Sequence, residues 1–394
     1  MKENWTYKKL GEVGTFLRGK SIQKADFVEK GLPCIHYGQI HTKFGVSTNK
    51  HLSEIPEAVY NKSIIAAPGD IVIAITSEDL DGSCKSTAWL GDYNVAVSAH
   101  AAVYKHSINP KYVAYYLRSN TFYSEKQKYA RGFKVMEIKT TDIAKIPIPI
   151  PSTQTQEHIV AELDEINNLL QLKKKELETF DKLAQSIFYE MFGDPVTNEK
   201  GWEVKKLGEV CEITSSKRIF ADDYVESGVP FYRSKEVIEK SKKQPISVAL
   251  FISVKKYEEV KTKYGIPLMG DILITAVGTI GKIWTIDTDE PFYFKDGNLV
   301  WLRNINRTKV EKAYFNNSLN ILIEDYKKTN ANGAAYNALT IVKLKEMSTP
   351  LPPLSLQQTF ATRIEAIEQQ KEQAKASVNK LETLLASRMQ YWFD

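Results

Sequence analysis

Cysteine is scarce in this chain of 394 residues. Cys34, Cys84 and Cys211 lie far apart and form no C-x-x-C pair. That excludes a disulfide framework and a thiolate metal site, and it fits a reducing compartment. Long apolar runs are missing too. The most apolar stretches, such as Ile71–Ile75, are strand-sized, far short of the roughly 20 residues that span a bilayer. The start, Met1-Lys2-Glu3-Asn4-Trp5, is charged and has no apolar h-region. No secretory signal and no membrane partner are expected, and the expected location is cytoplasmic.

Catalytic signatures are equally thin. No G-x-x-x-x-G-K-[ST] loop occurs, and Gly278-Thr279-Ile280-Gly281-Lys282 lacks the spacing that wraps phosphates. The [DN]-P-P-[YFW] run that holds a target base amine is absent, and Asp194-Pro195-Val196 does not supply it. Two ExK triplets, Glu137–Lys139 and Glu259–Lys261, follow no Pro-Asp pair. There is no H-E-x-x-H, and the neighbours Cys34 and His36 lack further ligands. No catalytic residue and no metal are expected in this chain.

What is present is an ordinary globular composition, 43% hydrophobic and 26% charged, which excludes disordered and collagenous classes. The length calls for more than one core. The net charge of +5 is unevenly placed. Residues 1–152 carry +6, 153–194 carry −5, 195–352 carry +4 and 353–394 carry 0. An anionic partner should therefore meet the two basic blocks.

The chain repeats itself once. Trp5-Thr6-Tyr7-Lys8-Lys9-Leu10-Gly11-Glu12-Val13 matches Trp202-Glu203-Val204-Lys205-Lys206-Leu207-Gly208-Glu209-Val210, and Gly31-Leu32-Pro33 matches Gly228-Val229-Pro230. Gly69-Asp70-Ile71 then matches Gly270-Asp271-Ile272, Gly132 matches Gly333 and Gln156 matches Gln357. The order is kept throughout, and the offset moves only from 197 to 201.

Each copy has two parts. A mixed block comes first, with β-rich runs at Ile71–Thr76, Val95–Ser98, Ile272–Thr275 and Leu299–Leu302, and a helical stretch at Pro110–Ser119. A proline cluster follows (Pro147, Pro149, Pro151; then Pro350, Pro352, Pro353), and next a capping-box pattern, Thr153-x-x-Gln156 and Ser355-x-x-Gln358. The period then becomes 3.5. The a and d positions are Ile159, Leu163, Ile166, Leu170, Lys173, Leu177, Phe180, Ala184, Ile187 and Met191 in the first helix. In the second they are Phe360, Ile364, Ile367, Lys371, Ala374, Val378, Leu381, Leu385, Arg388 and Trp392. Such a repeat predicts two coiled-coil helices of about 60 Å each, the first ended by Gly193-Asp194-Pro195.

Antiparallel pairing needs the shorter link. It would put Lys173 near Val378 and Phe180 near Lys371, each lysine reaching to the rim, and relate the blocks by a pseudo-twofold axis. The expected fold is therefore α+β: mixed blocks at 1–152 and 195–352, and spacer helices at 153–194 and 353–394. Leu169, Leu172, Leu183, Phe188 and Leu384 lie off the seam. A second apolar stripe predicts further helices packing there, and the twofold predicts two copies of a partner.

Three loops recur at equivalent places with different residues. In the first block they are Arg18-Gly19-Lys20-Ser21, His36-Tyr37-Gly38-Gln39 and Arg131-Gly132-Phe133-Lys134. In the second they are Ser215-Ser216-Lys217-Arg218, Tyr232-Arg233-Ser234-Lys235 and Asn332-Gly333-Ala334-Ala335-Tyr336-Asn337. Such side chains read base edges and phosphates. The candidate DNA contacts are Arg18, Lys20, His36, Tyr37, Gln39, Lys43, Arg131 and Lys134, then Lys217, Arg218, Tyr232, Arg233, Lys235, Lys282, Tyr336 and Asn337. One scaffold carrying two loop sets suggests two different sequences read.

The duplicated W-x-x-x-K-L-G-E-V opening, the G-x-P strand running into Tyr232-Arg233-Ser234, and the Pro-Pro-Leu lead into a Gln-rich helix form an ordered set. With the junction Met191-Phe192-Gly193-Asp194-Pro195-Val196-Thr197-Asn198, it resembles the specificity subunits of type I restriction–modification systems. The resemblance covers essentially the whole chain. It implies that each block is a target-recognition domain for one half of a split site in double-stranded DNA. It implies helices that dock two modification (methyltransferase) subunits, with restriction subunits in the full complex. S-adenosylmethionine, ATP and Mg would belong to those partners and no cofactor to this chain. Two other readings remain open at this level: a stand-alone DNA-modifying enzyme, and a protein-only coiled-coil scaffold, which would lack salt-dependent affinity for DNA.

Overall fold

The computed structural model describes residues 5–20, 22–132, 135–330 and 338–394. The chain divides into two compact units. Unit 1 holds residues 1–175 and 375–394, and unit 2 holds 176–374. Each unit thus combines one mixed block with part of both long helices, Thr153–Phe192 and Leu354–Phe393.

In unit 1 a five-stranded sheet runs in the order Gly14–Arg18, Ala101–His106, Ile71–Ala74, Ser86–Trp89, Ser47–Thr48. A four-stranded sheet runs Ser53–Ile55, Leu32–Ile35, Val95–Val97, Ile64–Ala66. Unit 2 repeats the plan. One sheet orders Glu212–Thr214, Leu299–Arg303, Ile272–Thr275, Ile283–Thr285; the other orders Tyr224–Val225, Phe251–Ile252, Val229–Tyr232, Tyr293–Phe294. The parallel pairs Ile35↔Val97 and Tyr232↔Phe294 occupy equivalent registers.

The repeated landmarks have structural causes. Leu10 and Leu207 are fully buried, each opening a single helical turn. Glu12 and Glu209 bend back to accept the amides of Lys9 and Lys206 at 3.1 and 3.0 Å. Gly69 and Gly270 adopt φ of +94° and +88°, a conformation open to glycine, and the following Asp70 and Asp271 accept turn amides. The proline-rich strands Pro147–Ile150 and Ser348–Leu351 pair antiparallel with Thr6–Lys9 and Glu203–Lys206 in two-stranded ribbons. An edge strand tolerates the missing proline donors.

The expected capping boxes at the long helices are not what forms. Ser152, not Thr153, accepts the Thr155 amide, at 3.2 Å. Gln156 is buried and makes two bridges: its amide nitrogen donates to Pro151 O at 3.0 Å, and its oxygen accepts the Asn109 amide at 3.1 Å. In unit 2 the equivalent is Gln357, which donates to Pro352 O and Lys309 O and accepts from the Glu311 amide. The repeated glutamine fastens the helix start to the block.

The heptad seam is buried at Ile159, Leu163, Ile166, Leu170 and Val378 in unit 1 and at Phe360, Ile367 and Ala374 in unit 2, and half-buried at its other a and d positions. Within each unit the helix segments run antiparallel. Unit 1 pairs Glu162 with Arg388 and Lys174 with Glu382; unit 2 pairs Asp181 with Lys371 and sets Phe188 against Phe360. Lys371 does not reach to open solvent: its side chain is 16% exposed and bonds Asp181 and Glu368, both at 2.8 Å. Gly193, at φ +73°, donates to Tyr189 O and ends the first helix.

Phe188 must be corrected. It is fully buried, packed on Tyr314 of the unit 2 block and on Phe192 and Phe360 of the long helices, which together wall that face of the helix with aromatic rings. It is a core residue, not a docking residue. Leu169, Leu172, Leu183 and Leu384 are 46, 63, 43 and 45% exposed. Among the described residues no helix is long and apolar enough to cross a membrane.

Candidate nucleic-acid interface

The three loops of the first block are drawn together by two shared partners. The first is Ser98. Gly19 lies so close to it that a Cβ would sit 2.1 Å from Ser98 O, and Lys20 bridges the same residue. Tyr37 donates its amide to Ser98 Oγ at 2.9 Å. The second is Glu137. Its carboxylate pairs with Arg18 at 3.1 Å, and its backbone exchanges two hydrogen bonds with Arg131. Arg131 also stands 3.7 Å from the Asp142 carboxylate. Lys20 and Lys43 are exposed. Lys134 lies outside the described residues.

Three of the expected base contacts are corrected. The His36 ring is 7% exposed, and its Nδ1 accepts the Gly38 amide at 3.2 Å. It caps a helical turn, and burial, with Lys24 and His100 nearby, holds its pKa below the usual histidine value. Gln39 accepts the His36 amide and donates to Ser53 Oγ, so its amide is already engaged. Tyr232 in unit 2 is 4% exposed and stacks on Phe292 at 4.7 Å, because its strand position points into the core.

In unit 2 the segment Tyr293–Asp296 does the gathering. The Tyr293 hydroxyl accepts the Lys217 amide, Asp296 pairs with Arg218 at 2.8 Å, and Lys295 donates its amide to Tyr232 O. The Lys217 ammonium lies 5.3 Å from the Tyr264 ring centroid. Arg233 pairs with the fully buried Glu236 at 3.1 Å, and Lys235 reaches Ser247. Tyr336 and Asn337 lie outside the described residues.

Strand register reveals residues that sequence matching missed. Ala74 donates to Lys85 O and Thr275 donates to Lys282 O, closing the same hairpin in each unit. The first spans eleven residue steps and the second seven, so Lys85, not a residue 201 earlier, is the counterpart of Lys282. The extra four residues fall in Ser77–Ser83, with Glu78, Asp79 and Asp81 exposed. Counting hairpin length between the two matched strands would have found this.

That longer hairpin walls a half-open cavity of about 860 Å³ in unit 1. Tyr37, His41, His100, Arg118, Lys126 and Lys85 line it. Arg118 donates to Gly45 O and Ser86 O, Lys126 to Ser83 O, and Lys85 to His41 O. Burial lowers the pKa of all three cations. The three thiols of the chain are buried, Cys84 in the wall of this cavity, and burial pushes each up to about 12.

The model of the type I restriction modification DNA specificity domain matches residues 2–180 and again 199–383. A putative type I restriction enzyme specificity subunit of Haemophilus influenzae, S.HindORF215P, is 29% identical over 298 residues, 73% of either chain. The MjaVIII specificity subunit of Methanocaldococcus jannaschii is 28% identical over 192 residues, 47% of this chain and 44% of that one. A crystal structure of the type I restriction–modification S subunit from M. genitalium aligns over 100% of this chain and 98% of its own, with a TM-score of 0.54 at 16% identity. A chain from a structure titled for complex assembly and conformational transition of the type I R-M system aligns over 99 and 97%, with a TM-score of 0.60 at 19% identity. These likenesses bear on the fold.

Proposed function

The chain belongs to the type I restriction–modification DNA specificity family, and from that premise we propose that it reads a split site, one half with each block. Recognition of DNA sequence is the function of the family, and its members are specificity subunits, not the catalysts. The observation that carries the split-site reading is the duplication itself: the family model matches twice, on blocks of like topology that present different loops.

In this reading Arg18, Lys20, Tyr37, Lys43 and Arg131 meet the first half-site. Lys217, Arg218, Arg233, Lys235 and Lys282 meet the second. Arginine and lysine on exposed loops supply phosphate neutralisation and bidentate base contacts. Two modification subunits would dock on the long helices and bring S-adenosylmethionine; restriction subunits would bring ATP and Mg.

Selection of bound duplexes from a random library, at two salt concentrations, tests this. The expected outcome is two different half-motifs separated by a fixed gap, with affinity falling steeply as salt rises. A single contiguous motif, or no salt-dependent binding, would overturn it.

A further inference from the structure

The cavity of unit 1 has a feature that reading a regular duplex does not use: its volume is larger than a base edge would fill. Its volume of about 860 Å³ lies within the roughly 300–1,000 Å³ range of small-ligand sites. Tyr37 and His100 stand at one wall with ring centroids 5.2 Å apart, and Tyr37 and His41 are 6.2 Å apart. Lys85, Arg118 and Lys126 supply cationic donors to the wall, and their side-chain hydrogen bonds go to backbone carbonyls. Two wall residues, Cys84 and His100, hold φ of +61° and +67°. Such backbone is costly for non-glycine residues and gathers at functional sites. Tyr37 also belongs to a loop that shares Ser98 with the Gly19–Lys20 loop, so the mouth lies beside the candidate DNA contacts.

We propose that this cavity receives one nucleotide of the first half-site, swung out of the helical stack, its base against Tyr37 and His100 and its polar edge facing the Lys85–Arg118–Lys126 wall. The inference rests on the DNA-reading function and goes beyond it. Stacking on aromatic faces repays the unstacking energy, since a base stacked on such a ring is worth about 1–3 kcal/mol. Cationic donors in a partly dry wall strengthen contacts to the acceptor atoms of a base. The acidic tip residues Asp79 and Asp81 at the same wall disfavour a bare phosphate and accept from an exocyclic amine.

The experiment uses the full chain without partner subunits, on the duplex found by selection. 2-Aminopurine is placed at each position of the first half-site in turn. One position should brighten several-fold on binding, and a mismatch at that position should tighten binding, because an unpaired base is easier to extrude. Tyr37→Ala with His100→Ala should abolish the brightening while the second half-site is still selected and the melting temperature holds. If the double variant fails to fold, the mismatch effect on the unaltered chain decides alone. Uniformly dark positions, with no mismatch tightening, on a duplex that binds would overturn the inference and leave the split-site reading standing. Displacement of the duplex by a free nucleoside monophosphate would also overturn it, by assigning the cavity to a diffusible ligand. Failure to bind any duplex would overturn both.

Discussion

Phe192, the last residue of the first long helix, stands against Tyr314 with ring centroids 4.7 Å apart. Both belong to unit 2. In unit 1 Phe393 stands 5.4 Å from Tyr112. The two tyrosines are repeat equivalents, each donating its hydroxyl to a proline carbonyl: Tyr112 to Pro149 O and Tyr314 to Pro350 O. Each block is therefore closed by the helix end that belongs, in sequence, to the other copy. The repeat is cyclic, and each unit needs both copies to complete its core.

Removing one of these wedges should damage one unit selectively. Phe192 and Phe393 are 3 and 5% exposed, and truncating a buried Phe to Ala costs about 3–5 kcal/mol. Phe192→Ala should speed hydrogen exchange in strand Ile272–Thr275 and spare Ile71–Ala74; Phe393→Ala should do the reverse. Equal loss of protection in both strands for either variant would contradict this division of the core.

Gln156 and Gln357 should prove structural despite their polarity. Gln156→Ala would leave the Asn109 amide and the Pro151 carbonyl unpaired beneath the helix start. Each orphaned buried group costs about 1–3 kcal/mol. Chemical denaturation should show a loss of this order. Gln156→Glu, which keeps the acceptor but not the donor, should recover part of it.

The role of Gln156 marks where sequence reasoning stops. The heptad, the antiparallel sense and the repeat were legible because period and register are written in spacing: Ile159, Leu163 and Ile166 are buried as the pattern demands. The glutamine was legible as a repeat landmark but not as a bridge, since Asn109 is 47 residues away in the chain. Phe188 failed for the same reason: its off-seam position was correct, but Tyr314, which covers it, comes from another element. Loop composition pointed to Arg18, Arg131 and Arg218, whereas the Lys85 hairpin was hidden by a four-residue length change that only strand register exposes.

Each of the candidate DNA arginines already has an acidic partner, and this gives a test of charge release. Arg218 pairs with Asp296 at 2.8 Å, with the arginine side chain 64% exposed. The Asp296 side chain is 17% exposed, and a pair open to solvent on its arginine side contributes about 1 kcal/mol or less to stability. Asp296→Asn should therefore leave melting nearly unchanged while raising affinity for all DNA sequences. Arg218→Ala should reduce the salt slope by about 1 if it meets a phosphate, or relax the second half-site alone if it meets a base. Glu137→Gln should act likewise on Arg18 in the first half-site. An unchanged affinity for both acidic variants would show that these arginines stay on the protein when DNA binds.

Acid should loosen unit 1 at a defined pin. Glu162 bonds the Arg388 guanidinium and accepts the Trp392 indole N–H at 3.0 Å. The Arg388 hydrogen bond holds the Glu162 carboxyl below its ordinary value. A carboxyl depressed on folding contributes stability above its unfolded pKa and loses it as pH falls through the folded pKa. The side chains are 24 and 31% exposed, so solvent screening limits the effect to about 1 kcal/mol. Glu162→Gln should flatten that part of the stability profile between about pH 5 and pH 3. An unchanged profile would show that the pair contributes nothing measurable.

The exposed leucines of the long helices offer the sharpest test of the partner reading. Leu172 is 63% exposed and Leu169 46%, both in unit 1, and Phe188 in unit 2 is fully buried. Water-facing leucines on a helix contribute little to folding, so an aspartate at Leu169 or Leu172 should change the melting temperature by little. If those positions carry a modification subunit, the same changes should abolish its co-purification, because a charge in an apolar interface is costly to desolvate. Phe188→Asp should behave in the opposite way. It places an unpaired carboxylate among Phe192, Tyr314 and Phe360, so the chain itself should unfold before any partner is consulted. Native mass of the wild-type assembly should give two modification subunits per chain. A single partner, or full retention by Leu169→Asp with Leu172→Asp, would move the docking surface off this face of the helix.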